Sequence, residues 1–479
     1  MNKTEKPAWA AILGLSFFSA LCLLVGFSSI LNYAFPAGCL AVGIFLYWRY
    51  PILYLGFNWW VWFLSPLIAR IVEYQNGWTD PGLRLIILSP YLVTMLTAGS
   101  FFQYLPRMMS WQDGLPFGLA FTGVFYALFV GLFKSNSTVA IVQDLLTWLP
   151  AIFLGSHLVV NWRQYPSYRQ NTQRVFGWAV LVMGIYGVVQ YAVAPEWDRF
   201  WLRNAETLQL CCGQPEPFMI RVWSTLNYPF TFAYAMMAAL LLLLSNPTVL
   251  NSLALVSGFI SFLLSLVRGA WIGWIVGLLI FFMSLKSQLK ARLLLTIVVI
   301  GALLSVLTTL NPFADAVTSR FQSLSDVQSD HSVSVRATIY ANLINSAVSE
   351  IVGRGMGGQG IIDAGFLDVL VILGWFGVIL YGSGILMLFF NLFQGSFQGA
   401  KTRSDPFISA ACAVVCSILV GLPANNTLVL LPGVLFWGFA GMAIAARTYY
   451  QHQKRTTKIL SIDSQWSTLH LDERMRYRE

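Results

Sequence analysis

Charge is what this sequence has least of. Only 10% of its 479 residues are Asp, Glu, Lys or Arg, against about a quarter in soluble globular domains. That excludes an ordinary water-soluble fold. Catalytic signatures are also missing. No His-Glu-x-x-His, Gly-x-Ser-x-Gly, paired-cysteine or EF-hand pattern occurs, so there is no zinc-protease helix, hydrolase elbow or calcium loop, and no metal or cofactor is expected. Of the six cysteines, Cys22, Cys39, Cys412 and Cys416 fall in apolar runs as small hydrophobes. Cys211 and Cys212 form a vicinal loop pair that allows a strained disulfide but has no metal-ligand spacing. No small-residue cleavage site follows the first apolar run, which therefore reads as a retained span rather than a signal peptide. No internal repeat is visible.

What is abundant is apolar and aromatic: 57% hydrophobic residues, with 35 Phe, 19 Tyr and 18 Trp, and a mean hydropathy of +0.67. The apolar runs approach about 20 residues rather than alternating over about 10, which predicts spanning helices and not a barrel. The expected fold is an all-α polytopic membrane protein of 12–14 transmembrane helices, with a large outer loop before the last three. The runs lie near 8–28, 32–48, 51–69, 84–103, 115–133, 139–160, 175–194, 224–245, 252–267, 269–285, 293–310, 365–394, 407–423 and 428–446. Three regions follow: 1–174, spans without a recognisable motif; 175–448, spans with two long loops, 195–223 and 311–364; and 449–479, a polar tail.

With both termini cytoplasmic, 19 of the 29 basic residues fall on the inner side, the bias expected of a helical membrane protein. The net charge of +9 is then the charge of basic cytoplasmic loops and needs no nucleic acid. The other ten basic residues are Arg70, Arg84, Lys134, Arg199, Arg203, Arg221, Arg268, Arg320, Arg336 and Arg354, with a single lysine among them. Arginine grips phosphate and carboxylate through a planar fork, whereas lysine offers a point charge. Arg268 is the most exposed to this argument, because it interrupts the apolar stretch Phe262–Trp274. A guanidinium at mid-bilayer costs from about 3 to more than 10 kcal/mol, so it sits at a membrane face or against a partner.

The long loops carry the remaining motifs. In the second, Ile339, Leu343, Ala347 and Ile351 recur at helical spacing and predict a helix near the membrane surface, with Asp330 and Ser332 as N-cap candidates. Next comes Gly353-Arg-Gly-Met-Gly-Gly-Gln-Gly360. Such a turn is either a backbone cradle for an anion or a plain re-entry into the membrane. It lacks the Gly-Lys-Ser/Thr ending of a nucleotide-binding loop. Asp144, Asp363 and Asp368 are carboxylates at or near membrane depth. Asp363, at the interface, suits a base or a hydroxyl acceptor, while Asp368 suits an arginine partner. His331, the one histidine assigned outside, is either solvated or a base. Trp197, Trp201 and Trp223 beside Arg199, Arg203 and Arg221 read first as an interfacial belt, and second as a sugar-stacking surface.

Four stretches, in order, resemble the O-antigen ligase and polymerase family, which includes exopolysaccharide polymerases. They are Arg221–Tyr234, Ser265-Leu-Val-Arg-Gly-Ala-Trp271 (the family's Ser-x-x-Arg-Gly-Ala), Asp330-His-Ser-Val-Ser-Val-Arg336, and Gly353–Gly374. The resemblance covers about residues 175–446. It implies a metal-independent glycosyltransferase at the outer face of the bacterial inner membrane. Its donor would be an undecaprenyl-pyrophosphate-linked oligosaccharide in membrane lipid, and flippase and chain-length proteins would be its partners. It also implies roles: Arg268, Arg336 and Asp363 catalytic, with Arg221, Arg320, Arg354, Asp368 and His331 binding substrate. Ligases of the family carry His-Asn where this chain has Asp363-Ala364, which leans the resemblance toward polymerase. A transporter of a small anion such as bicarbonate, a ligase acting on a lipid acceptor and a non-catalytic assembly protein are the alternatives.

Overall fold

The computed structural model of this chain describes residues 5–78, 84–205, 212–246, 248–285, 289–291, 293–294, 297–298, 301–302, 331–358, 360, 364–394 and 405–476, with side chains described in all of these except 331–336, 394 and 457–476. Among the described residues every regular element is helical, apart from one isolated bridge between Gly213 and Ile220. The protein is an all-α polytopic membrane protein. Nine described helical segments are long and apolar enough to cross a membrane, and four shorter apolar helices accompany them. These thirteen correspond to thirteen of the fourteen apolar runs. The eleventh run, 293–310, lies mostly outside the described residues.

The first helices are α1 (Lys6–Val25), α2 (Ser28–Arg49), α3 (Pro51–Asn76), α4 (Leu85–Met95), α5 (Ala98–Ser110), α6 (Leu115–Phe133), α7 (Thr138–Val160), α8 (Tyr165–Val193) and the short α9 (Glu196–Asn204). Next come α10 (Pro229–Leu244), α11 (Val249–Leu264), α12 (Arg268–Ser284), α13 (His331–Ser349), α14 (Gly365–Gln394), α15 (Pro406–Val420) and α16 (Leu430–Arg476). Helix starts follow ordinary chemistry. Proline opens α3, α10 and α15, where its missing N–H costs nothing. Thr248 and Asp405 cap α11 and α15 through side-chain oxygens. The run at 84–103 is one crossing built from α4 and α5.

α10 is the central pillar. It is apolar on every side, and nearly all of it is buried, as expected of a helix surrounded by protein. It packs against α8, α11, α12, α15 and α16. Elsewhere in the bundle helices approach closely where glycine removes the side chain. A Cβ on Gly123 of α6 would stand 2.8 Å from the Gly377 carbonyl of α14, and one on Gly184 of α8 2.7 Å from the Gly258 nitrogen of α11. Small residues at such crossings are how helices associate without a hydrophobic drive from water. Residue 174 lies within α8, and α6–α14, α7–α16 and α8–α11 are major contacts, so early and late helices form common packing surfaces.

Polar contacts sort the loops to two ends. At one end Arg70 meets Asp198, Arg84 lies over Trp201, Val222 bonds Leu264, and Tyr340 bonds Pro423. At the other end Asn171 donates to Ile52, Arg169 pairs with Asp405, Asn391 donates to Gln112, and Arg447 donates to Asn391. The first of these is the end toward which Arg221 and Arg268 lie.

α13 forms where the amphipathic spacing predicts a helix. Ile339, Leu343 and Ala347 pack on Ala364, Leu367 and Val371 around the start of α14. Ser332 lies within the described helix. Asp330 lies outside the described residues.

Candidate functional site

Arg221 and Arg268 come together at a break between two helices. α11 ends at Leu264 and α12 begins at Arg268, and between them Leu266 has φ +55°. A non-glycine residue in the left-handed region costs about 1 kcal/mol or more and persists only where neighbours enforce it. The neighbour here is Arg221. Its Nε donates to the Ser265 carbonyl over 3.2 Å and its Nη2 to the Leu266 carbonyl over 3.0 Å. The main chain beside it is fixed as well: the Arg221 N–H donates to Cys212 and the Val222 N–H to Leu264. Arg268 therefore opens its helix two residues beyond a turn gripped by a second arginine. The expensive charge of the sequence sits at a helix end.

A tyrosine hydroxyl extends this centre. A Cβ on Gly269 would stand 3.4 Å from Tyr234 Oη, and one on Gly421 would collide with the same oxygen. Tyr234, on the central helix, thus lies between the Arg-Gly-Ala turn and the 421–427 turn that links α15 to α16. Asn426 of that turn donates from Nδ2 to Asp368 Oδ2 over 2.8 Å. Gly365, three residues before Asp368, lies against the carbonyls of Leu422 and Asn425. Tyr340 of α13 donates to the Pro423 carbonyl over 2.8 Å. The Arg221–Tyr234 stretch, the Ser-x-x-Arg-Gly-Ala turn and the start of α14 thereby converge on one end of the bundle, joined by the 421–427 turn. Asp368, expected to suit an arginine partner, accepts from Asn426.

The glycine segment does something different from an anion cradle. α14 is interrupted at Gly374, with φ 64° and ψ 175°. The freed main chain is paired by the segment before α14. Arg354 N donates to Val371 O at 2.6 Å, Gly355 N to Ile372 O at 3.1 Å, and Trp375 N to Ile351 O at 2.9 Å. Met356 N donates to Ala127 of α6 at 2.9 Å and Gly357 N to the Asp144 carboxylate of α7 at 2.7 Å. Asn136 adds donors to the carbonyls of Arg354 and Met356. The amides of 354–357 are all directed at protein acceptors, so the segment is a re-entrant structural insert. Asp144, a carboxylate at depth, is explained by the Gly357 amide. The Arg354 side chain pairs with Glu350 at 3.1 Å.

Other arginines of this end also have protein carboxylates. Arg70 pairs with Asp198 at 2.8 Å with both side chains fully buried, Arg84 with Glu73 at 2.7 Å and Arg199 with Glu196 at 2.8 Å. Part of the arginine enrichment therefore has an architectural cause. The tryptophan belt is corrected too. Trp201 and Trp223 are buried, and Arg84 lies 4.6 Å from the Trp201 ring and 4.4 Å from the Trp78 ring, the two indoles themselves meeting edge to face. Trp197 donates to Tyr186 Oη. The driving reason is α9, which packs this segment against α3 instead of leaving it at a lipid interface.

His331 and Arg336 lie on the first turns of α13, but their side chains fall outside what is described, as do Arg320 and Asp363 entirely. Tyr234 and Asn426 were not singled out by sequence. Tyr234 entered only as the last residue of the Arg221–Tyr234 stretch, and the reason for Gly269 and Gly421 becomes visible once both face its hydroxyl.

Compared with known proteins, the chain matches no family model, and no curated protein matches it significantly.

Proposed function

We propose that this protein is a membrane glycosyltransferase that polymerises or transfers undecaprenyl-pyrophosphate-linked glycans at the outer face of a bacterial inner membrane, with both termini in the cytoplasm. The observation that carries the reading is the meeting of Arg221 with the turn that presents Arg268. In the reaction an acceptor hydroxyl oxygen bonds to the anomeric carbon of the donor sugar. The bond from that carbon to the pyrophosphate oxygen breaks, and its electron pair leaves with the phosphate. The hydroxyl proton goes to a base, the role assigned to Asp363, with His331 as the substitute. Negative charge grows on the departing pyrophosphate. Fixed guanidinium groups aimed at growing charge stabilise a transition state without reorganising at the moment of reaction. Arg268, Arg221 and Arg336 are the assigned clamps; Arg320 and Arg354 are second choices, the latter already engaged by Glu350. Asp368 would orient the acceptor from the start of α14.

Replacing Arg268 with alanine tests this. The expected result is loss of polymer with accumulation of lipid-linked single repeats, and Arg268→Lys is expected to recover little, since it keeps the charge without the fork. Normal chain length in Arg268→Ala would end the proposal. Long polymer retained on the carrier would instead assign the ligase activity.

The small-anion transporter has one observation in its favour, the interruption of α14, since discontinuous helices build many transporter sites. Against it, the interruption is filled by residues 351–357, and the carbonyls of Val371 and Ile372 are taken by amides of the chain itself. Uptake of bicarbonate into proteoliposomes free of lipid-linked sugar would favour the transporter.

A further inference from the structure

Arg70 and Asp198 form a fully buried ion pair. Removing two charges from water costs several kcal/mol per ion, and such a pair often stabilises a fold no better than apolar residues of the same volume. Its surroundings give it another use. Arg70 Nη2 donates to the Ser224 carbonyl over 2.6 Å, and Ser224 is a second non-glycine residue in the left-handed region, with φ +52°. Every polar group of Ser224 is held. Its N–H and that of Trp223 donate to Gln190 Oε1 at 2.8 and 2.9 Å, and its hydroxyl donates to the Met183 carbonyl at 2.6 Å. Asp198 is held from its other side by the Tyr186 hydroxyl at 2.8 Å. The four elements involved are α3, α8, α9 and the segment that carries Arg221.

We infer that Arg70, held by Asp198, is a positioning residue for Arg221 and, through the Leu266 turn, for Arg268. The chain of contacts is continuous. Arg70 fixes the strained Ser224 carbonyl; Ser224 fixes the direction of residues 221–223; Val222 and Arg221 hold the end of α11 and the left-handed Leu266; and Arg268 follows two residues later. Guanidinium geometry is needed at the start of this chain, because one side chain must reach both a carboxylate and a main-chain carbonyl. Without that donor the buried Ser224 carbonyl loses its partner, Gln190 and Met183 alone hold the left-handed residue, and the segment that carries Arg221 is held less tightly against the end of α11. The functional consequence rests on the glycosyltransferase reading; the positioning itself does not.

The test uses the full chain in nanodiscs. The double variant Arg70→Met/Asp198→Asn removes both charges and leaves neither one buried alone. Its control is Glu73→Gln/Arg84→Met, which removes another ion pair at the same end that does not touch Ser224. Amide exchange in 221–226 and 264–268 is expected to rise about tenfold in the first variant, the scale of a lost hydrogen bond to a charged group, while exchange in α6, α7 and α16 stays as in the wild type. The control is expected to leave 221–226 unchanged. Arg70→Lys keeps the charge and the fold but cannot reach both acceptors, and is expected to show the same local rise if the double variant does not accumulate. Unchanged exchange at 221–226 in a folded Arg70 variant would overturn the inference, as would a rise spread evenly over all helices. Binding of inorganic pyrophosphate, measured alongside, separates the two proposals. Wild-type protein that binds none counts against the glycosyltransferase reading and leaves the exchange result standing. A loss of about tenfold in the first variant alone supports both.

Discussion

Arg221 holds Leu266: its Nη2 donates to the Leu266 carbonyl over 3.0 Å, and Leu266 is in the left-handed region at φ +55°. An arginine that spends its donors on main-chain carbonyls is shaping a turn. The turn it shapes begins the helix of Arg268. The two arginines therefore differ: Arg221, besides its assigned place in the clamp, fixes the turn, while Arg268 is presented by it, and their variants are expected to behave differently.

Arg221→Ala is expected to lower thermal stability by about 1–3 kcal/mol, the scale of hydrogen bonds from a charged donor, and to abolish polymer. Arg268→Ala is expected to abolish polymer with a smaller stability loss. Thermal unfolding in detergent and gel analysis of glycan length separate the two; equal melting shifts would contradict the assignment of roles.

Gly421→Ala is expected to destabilise the protein by about 1–3 kcal/mol, because the added methyl meets Tyr234 Oη. Adding Tyr234→Leu, which removes both the hydroxyl and the ring carbons that the methyl meets, is expected to recover part of that loss. Additive losses in the double variant, read from melting curves, would show that the two positions are not in contact.

Gly374→Ala places a Cβ on a residue at φ 64° and ψ 175°, a region essentially confined to glycine, and against the Val352 carbonyl. The paired 351–357 segment is expected to come loose from α14. A cysteine introduced at Met356, which is fully buried in the segment, would then label faster with a membrane-impermeant maleimide, and labelling at the rate seen with Gly374 intact would count against the pairing.

At the opposite end burial raises the Asp113 carboxyl above its ordinary 3.8, opposed by Arg447 and by the Thr448 hydroxyl. The folded protein then binds a proton more tightly than the unfolded chain. This group's contribution to stability is fully present below pH 3.8 and is lost as pH rises through the folded value. Asp113→Asn is expected to flatten that decline and to be at least as stable as wild type at neutral pH. Melting curves that keep their pH slope in the variant would assign it to another group.

Orientation can be read with alkaline phosphatase fusions. A fusion after Trp78 is expected to be active and one after Ser110 inactive, since the two positions close opposite ends of the α4–α5 crossing. The reverse result would place Arg221 and Arg268 in the cytoplasm and remove the proposed donor.

The amino-acid sequence alone determined that this is an all-α membrane protein and where nearly every helix runs. Apolar length and terminal prolines are local properties, and the bilayer demands that each segment satisfy its own backbone. The sequence also singled out Arg221 and Arg268. Arg268 interrupts an apolar run and Arg221 belongs to the arginines of a long loop, and both features are conspicuous whatever surrounds them. Only the tertiary structure decided what each polar group faces. Four arginines of that end turn out to hold protein carboxylates, and the glycine segment spends its amides on Val371, Ile372, Ala127 and Asp144. Tyr234 stands between two glycines far apart in the chain. Such partners are set by how helices pack, and packing depends on the shapes of several segments at once, which no single stretch of sequence records.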